Sequence, residues 1–254
     1  MTGRIQLRHQ DGIAFVTLSH PGKLNAMSRA MWRDLKAVFE KLQAGDARCV
    51  VVQGEGGNFC AGGDIAEYPE FRFSEASLRN FHEHGVWGGL QAMLNCDVPL
   101  VAQIDGVCMG AGLEIAACCD VRVAGTSARF GAPIAKLGFP MAPREAQLLL
   151  RTAGELTARE LLLQAVVLDA ATMAQRGFLN SAVADSQVAS TALLSAQRIT
   201  GLAPQAARQN KQTLRALNQP KAADTALPDA YRYAASAEHQ EGINAFLNKR
   251  QPVF

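Results

Sequence analysis

Four short β-rich runs, "GIAFVTLS" (12–19), "CVVVQGEG" (49–56), "VPLVAQIDG" (98–106) and "DVRVAGTS" (120–127), are each closed by a glycine or serine turn. Helical patterns lie between some of them, and that order predicts an α/β fold. Ser28 is placed to cap a helix "RAMWRDLKAVFEKLQ" whose Met31, Leu35, Val38, Phe39 and Leu42 form one apolar stripe, with Gly45 beyond its end. Ser74 opens a second helical region through "EASLRNFHEHGVWGGLQAMLN", in which Gly85, Gly88 and Gly89 predict a break or bend. After about residue 140 strands nearly vanish. "REAQLLLRTAG", "TARELLLQAV" and "DAATMAQRG" read as helices, the last with Asp169 as its cap and Gly177 as its stop. The segments "STALLSAQRIT", "APQAARQNKQTLRAL" and "DAYRYAASAEHQEGINAFLNKR" hold too few large apolar residues for a bundle of their own, so they must lean on the main domain or on another subunit.

A chain of 254 residues that is 48% hydrophobic can bury a large core in one main domain. Its formal net charge of +2, without a Lys/Arg-rich run, argues against nucleic-acid and membrane partners. The polar start "MTGRIQLRHQDG" has no signal-like apolar region, and no apolar stretch reaches spanning length, so a soluble, cytoplasmic protein is expected. Six cysteines, without a CxxC pair and with scattered histidines, read as reduced core thiols, and no metal site is expected.

The stretch "MGAGLEIAACCD" (109–120) follows an apolar run and sets Gly110, Ala111 and Gly112 just before Glu114. A dinucleotide fingerprint would need Gly or Ala where Ile115 stands, and a phosphate-binding Walker loop would need Lys followed by Ser or Thr. Neither is present. "GVCMG" fits a nucleophile elbow with Cys108 in the serine's place, completed by Asp224 or Asp229 and His239, but it gives Glu114 no task. The alternative starts from helix physics: small residues at a helix N-terminus leave unpaired N–H groups that attract an oxyanion, with Glu114 one turn away to exchange a proton. Glu114 as a helix cap, or paired with Arg122, is the structural alternative.

These residues resemble the crotonase, or enoyl-CoA hydratase/isomerase, superfamily. "LNAMS" (24–28), "FCAGGDI" (59–65), "VPLVAQIDGVCMGAGLEIAACCDVRVA" (98–124), "FGAPIAKLGF" (130–139) and "EGINAFLNKRQPVF" (241–254) are similar to its successive blocks, in order and across nearly the whole chain. The resemblance implies a spiral core of repeated ββα units over residues 1–195 and a C-terminal helical region, 196–254, for trimerisation and closing the site. It implies an acyl-CoA thioester as substrate, a homotrimer or dimer of trimers, and no cofactor beyond the coenzyme A that the substrate carries. The thioester oxygen would be held by the N–H groups of Gly63 and Ala111, stabilising an enolate. Glu114 would be the acid/base. Coenzyme A would lie along Ala61, Asp64, Ile65 and Ala66, with Gly110 and Ile134 lining the acyl site. Lys23 is a candidate phosphate contact, and Phe246 and Lys249 are candidate C-terminal contacts.

One departure limits the chemistry. The family's hydratases carry a second glutamate after a proline four residues before a glycine, and here Ile134 follows Pro133 before Gly138. A hydratase working on Glu114 alone, an isomerase, a decarboxylase that needs only the oxyanion donors, and a non-catalytic acyl-CoA binder all stay open. His82, Glu83, His84 and Glu145 are the candidates to replace the missing carboxylate.

Overall fold

The computed structural model describes residues 2–217 and 236–254, without the side chains of His239 and Phe246. Its strands are β1 (Arg4–Gln10), β2 (Ile13–Ser19), β3 (Cys49–Gly54), β4 (Leu100–Ile104), β5 (Val107–Met109), β6 (Val121–Gly125), β7 (Arg129–Gly131), β8 (Val167–Asp169) and β9 (Ser181–Val183). Its helices are α1 (Arg29–Ala44), α2 (Glu75–Asn80), α3 (Trp87–Asn95), α4 (Ala111–Ala117), α5 (Pro143–Ala153), α6 (Glu155–Leu163), α7 (Ala170–Gln175), α8 (Val188–Thr200), α9 (Pro204–Leu217) and α10 (Ala237–Leu247).

The large sheet runs β1-β2-β3-β4-β6-β9 and is parallel from β2 onward. All four apolar runs of the sequence are strands of it, because a parallel sheet covered on both faces needs apolar residues on both. Ala14, Val16, Leu18, Val50, Val52, Leu100, Ala102 and Ile104 face the main core with α1 and α3. Ile13, Cys49, Val51, Val101 and Val123 face the other way, where Val188, Ala192 and Ala196 of α8 cover them. Each such fully buried large side chain contributes about 1.5–3 kcal/mol. The polar edge strand β1 carries no apolar run. It is joined to β2 by Asp11 and Gly12, both at positive φ (51° and 75°), a two-residue hairpin whose "DG" was the available sequence signal.

A second layer holds β5-β7-β8, extended by single bridges Cys60↔Cys108 and Met27↔Gly63. The chain therefore winds. β4, β5 and α4 make one turn, and β6, β7 and the 3-10 turn Pro133–Leu137 make the next, each laying one strand in the large sheet and one short strand in the second layer. The turns at Ala61–Gly63 and Met109–Gly110, between the layers, line the candidate site.

The helix ends follow the sequence: Ser28 accepts from the Met31 N–H and Asp169 from the Thr172 N–H. The expected break at the glycine-rich second helix is instead a π-helical turn, Phe81–Val86, joining α2 to α3. The expected helix through Val166 stops at Leu163, and Ala165 at φ 53° leads into β8. Helix α9 buries no residue and is held to the main body by polar bonds. Lys211 donates to the Val98 carbonyl (2.9 Å) and pairs with Asp120 (2.7 Å), while Gln212 and Arg215 bond Asp97 (both 2.7 Å). No helix among the described residues is long and apolar enough to cross a membrane.

Candidate active site

The site begins where two backbone turns touch. Gly110 caps α4 at φ 47°, a conformation that favours glycine, and its N–H donates to the Gly131 carbonyl at 2.8 Å. Two residues on, a Cβ on Gly112 would lie 2.5 Å from the Cys60 carbonyl oxygen, so only glycine lets α4 come this close to the 60–63 turn. The Met109 N–H donates to that same carbonyl at 2.9 Å. Around Gly63 the neighbouring peptides are spent on Met27, which donates to the Gly62 carbonyl (2.8 Å) and accepts from Asp64 (2.9 Å). Neither bond uses Gly63's own N–H. Ala111 opens α4, where an N–H has no acceptor within the helix. Among the described residues these two N–H groups donate to no backbone acceptor outside the regular elements.

Glu114 stands in the first turn of α4, only 6% exposed. Burial, and next to it the charge of Glu145, push its carboxyl well above the usual glutamate range. The structural alternative of a pairing with Arg122 does not hold, because Arg122 donates to the Cys119 and Phe178 carbonyls. No hydrogen bond or ion pair to the Glu114 side chain is made by the described residues around it, and the carboxyl faces a cavity of about 200 Å³.

That cavity gathers Ala61, Gly62, Gly63, Ile65, Gly110, Ala111, Glu114 and Ile134. Further side chains complete the lining. His82 comes from the π-helical turn and Glu145 from the first turn of α5, and His82 Nδ1 lies 2.8 Å from Glu145 Oε1. Both line the cavity. Of the other candidates, Glu83 pairs with Arg144 at 3.4 Å and His84 faces a different surface groove; neither lines it. The sequence reading missed Tyr68, Arg72 and Phe139 in the same lining, where the Arg72 guanidinium lies over Phe139 at 3.5 Å and over Tyr68 at 4.6 Å. The aromatic pair in "EYPEF" was the only hint, and it carries no spacing that marks a site.

The remaining described candidates do not line the cavity. Lys23 Nζ bonds both oxygens of Asp64, at 2.8 and 2.6 Å, and Asp64 caps the turn Ile65–Glu70 through the Ala66 N–H. The Lys23 charge is thus engaged within the chain, while Ile65 and Leu24 are about half exposed beside it. Ala66 is exposed, and Lys249 is exposed beyond α10 at φ 53°. The Phe246 and His239 side chains, Asp224 and Asp229 lie outside the described residues. Cys108 is fully buried in β5 and its thiol is pushed well up by burial, the opposite of an exposed activated nucleophile. No group of three metal-ligating side chains occurs among the described residues.

A family model described as enoyl-CoA hydratase/isomerase matches residues 8–254. The chain is 32% identical to a 2,3-dehydroadipyl-CoA hydratase of Escherichia coli, covering 96% of each chain. It is 30% identical to a short-chain-enoyl-CoA hydratase of Clostridium acetobutylicum, covering 96% of this chain and 95% of that one. A crystal structure of an enoyl-CoA hydratase/carnithine racemase from Magnetospirillum magneticum superposes with a TM-score of 0.95 at 34% identity, covering 100% of this chain and 96% of that one.

Proposed function

The chain belongs to the enoyl-CoA hydratase/isomerase family, and from that premise we propose that it is an enoyl-CoA hydratase-like enzyme working through an enolate of an acyl-CoA thioester. The observation that supports this reading is one cavity lined by Gly63 and Ala111, whose N–H groups donate to no backbone acceptor outside the regular elements among the described residues, and by Glu114, whose carboxyl has no hydrogen-bond partner among them. The thioester oxygen accepts from the two N–H groups, and charge growing on it is stabilised by donors already in place. Each such donor is worth about a hundredfold to a thousandfold in rate. Glu114, whose carboxyl is pushed up by burial and by its acidic neighbour, delivers a proton to the carbon next to the thioester.

The apolar rim of Leu24, Ile65 and Leu137, each about half exposed, supports a seat for the coenzyme A part of the substrate. Assembly as a homotrimer, or a dimer of trimers, would cover exposed Leu202, between α8 and α9, and Leu214, Leu217 and Leu247 on the C-terminal helices. It would also bring Phe246 and Lys249 toward a neighbour's coenzyme A. A turnover screen by mass spectrometry, over enoyl-, malonyl- and hydroxyacyl-CoA esters in ordinary and heavy water, tests the reading. Hydration adds the mass of water, decarboxylation removes CO2, and isomerisation shows only as exchange. Binding without any of these would replace the enzyme by an acyl-CoA-binding protein, and Glu114→Gln turning over at the wild-type rate would remove Glu114 from the mechanism.

A further inference from the structure

We propose that His82, oriented by Glu145, is the second proton-transferring group of the site and does the work for which Ile134 offers no carboxylate. The inference rests on the acyl-CoA reading above and adds to it a proton acceptor that lines the same cavity as Glu114. The two residues lie 63 positions apart, yet their side chains meet at 2.8 Å inside the cavity that holds Glu114. His82 is 18% exposed and Glu145 5% at the side chain, so the pair is largely shielded from bulk water. The turn that carries His82 is π-helical, a local widening that is costly and recurs at functional sites. Glu145 sits at the N-terminal end of α5, where the positive end of the helix favours a carboxylate. Glu114 lines the same cavity from α4, and its carboxyl is pushed up by burial and then by the Glu145 charge, so the two acids share one electrostatic neighbourhood.

The division of labour follows. With Nδ1–H donating to Glu145, the nitrogen left to His82 is Nε2, an acceptor in the neutral ring. In hydration, a water proton passes to Nε2 while the water oxygen bonds to C3 of the enoyl group. The C2=C3 electron pair shifts onto the thioester oxygen between the Gly63 and Ala111 N–H groups. When that enolate collapses, C2 takes the proton of Glu114. The proton gained by His82 equals the one lost by Glu114, and exchange with water resets both. Glu145 touches no reacting atom in this scheme. It is a positioning residue that fixes the ring and its tautomer.

The test uses the enoyl-CoA that the full-length wild type turns over fastest, together with its saturated counterpart. Uptake of deuterium at C2 of the saturated ester in heavy water, in which the ionised Glu114 carboxylate takes the C2 proton and returns a deuteron after exchange with solvent, reads Glu114 and the oxyanion donors, whereas hydration also needs His82. His82→Ala is expected to lower the hydration kcat by about a hundredfold or more and C2 deuteration by less than about tenfold, with added imidazole restoring part of the hydration. Glu145→Gln is expected to lower kcat with little change in KM, and to replace the single Nδ1–H tautomer of His82 by a mixture in the 15N spectrum. His84→Ala, outside the cavity, is expected to hydrate like the wild type. Because Glu145→Gln and His82→Gln nearly conserve volume, unchanged melting temperatures in these variants separate chemistry from folding. Wild-type hydration by His82→Ala, His82→Gln and Glu145→Gln overturns the pair's role and leaves the acyl-CoA reading standing. Absence of both hydration and C2 deuteration in the wild type overturns that reading and the pair with it.

Discussion

The two walls of the cavity are built differently. One wall is backbone: the Ala61–Gly63 turn and the start of α4 touch through glycine and carbonyl, and their chemistry is the N–H group. The other wall is side chain: His82, Glu145, Ile134, Tyr68, Arg72 and Phe139 arrive from the helix-turn region 65–95 and from 133–145. A backbone wall admits few residue types, because a Cβ at the wrong place meets main-chain atoms that cannot move. A side-chain wall can exchange its functional groups while the helices keep their positions, so the reaction can change on a constant frame.

The largest effect is expected where the walls meet. Glu114→Gln should lower turnover by about a hundredfold to ten-thousandfold, measured as initial rate, while a saturated acyl-CoA still binds by calorimetry. Loss of binding together with rate would place Glu114 in the frame of the site rather than its chemistry. Next comes a direct contrast. Gly112→Ala pushes a Cβ into the Cys60 carbonyl and should destabilise the protein by about 1–3 kcal/mol in urea unfolding. Ile134→Ala, on the half-buried side-chain wall, should cost less than Gly112→Ala in the same assay. Equal losses would erase the distinction between the walls.

A smaller effect is expected for Ile134→Glu. In the His82→Ala background it should raise hydration by about tenfold or more, because it supplies a carboxylate to the same cavity, whereas in the wild type the gain should be less than tenfold. A large gain in the wild type would show that the cavity lacks a second proton-transferring group. The smallest effect concerns stability against pH. The folded Glu114 carboxyl titrates well above 4.5 and the unfolded one near it, so the unfolded state gives up its proton first as pH rises. The contribution of Glu114 is therefore fully present below about pH 4.5 and is lost as pH rises toward the folded value. Glu114→Gln should melt progressively higher than the wild type above that pH, read as the gap between their melting temperatures. A gap that stays constant from pH 4 to 8 would mean that Glu114 is not held protonated by its surroundings.

Much of the frame could be read along the chain. The four apolar runs became adjacent parallel strands, Ser28 and Asp169 became caps, and Gly110, Ala111 and Gly112 became the start of a helix against the 60–63 turn. The polar strand β1 escaped because an antiparallel edge strand needs no apolar run. The "FHEHG" segment could be named as a source of candidates but not ordered, since Glu83 pairs with Arg144, His84 faces another groove, and only His82 reaches the cavity. Nothing local distinguishes three neighbouring polar residues on one helix until the packing around it is known.

The sequence determined the features whose physical cause is local: the α/β order, the glycine-dependent contact of two turns, and a carboxyl one helical turn from an unpaired N–H. Only the tertiary structure decided that His82 and Glu145 meet, because a 2.8 Å contact across 63 residues depends on how the turn that carries His82 packs against α1 and how α5 packs against α4. It also decided that Lys23 turns to Asp64 and that Arg72 stacks in the cavity wall. Backbone chemistry is tied to residue size at fixed positions, while side-chain chemistry depends on distance between segments that the chain order does not fix.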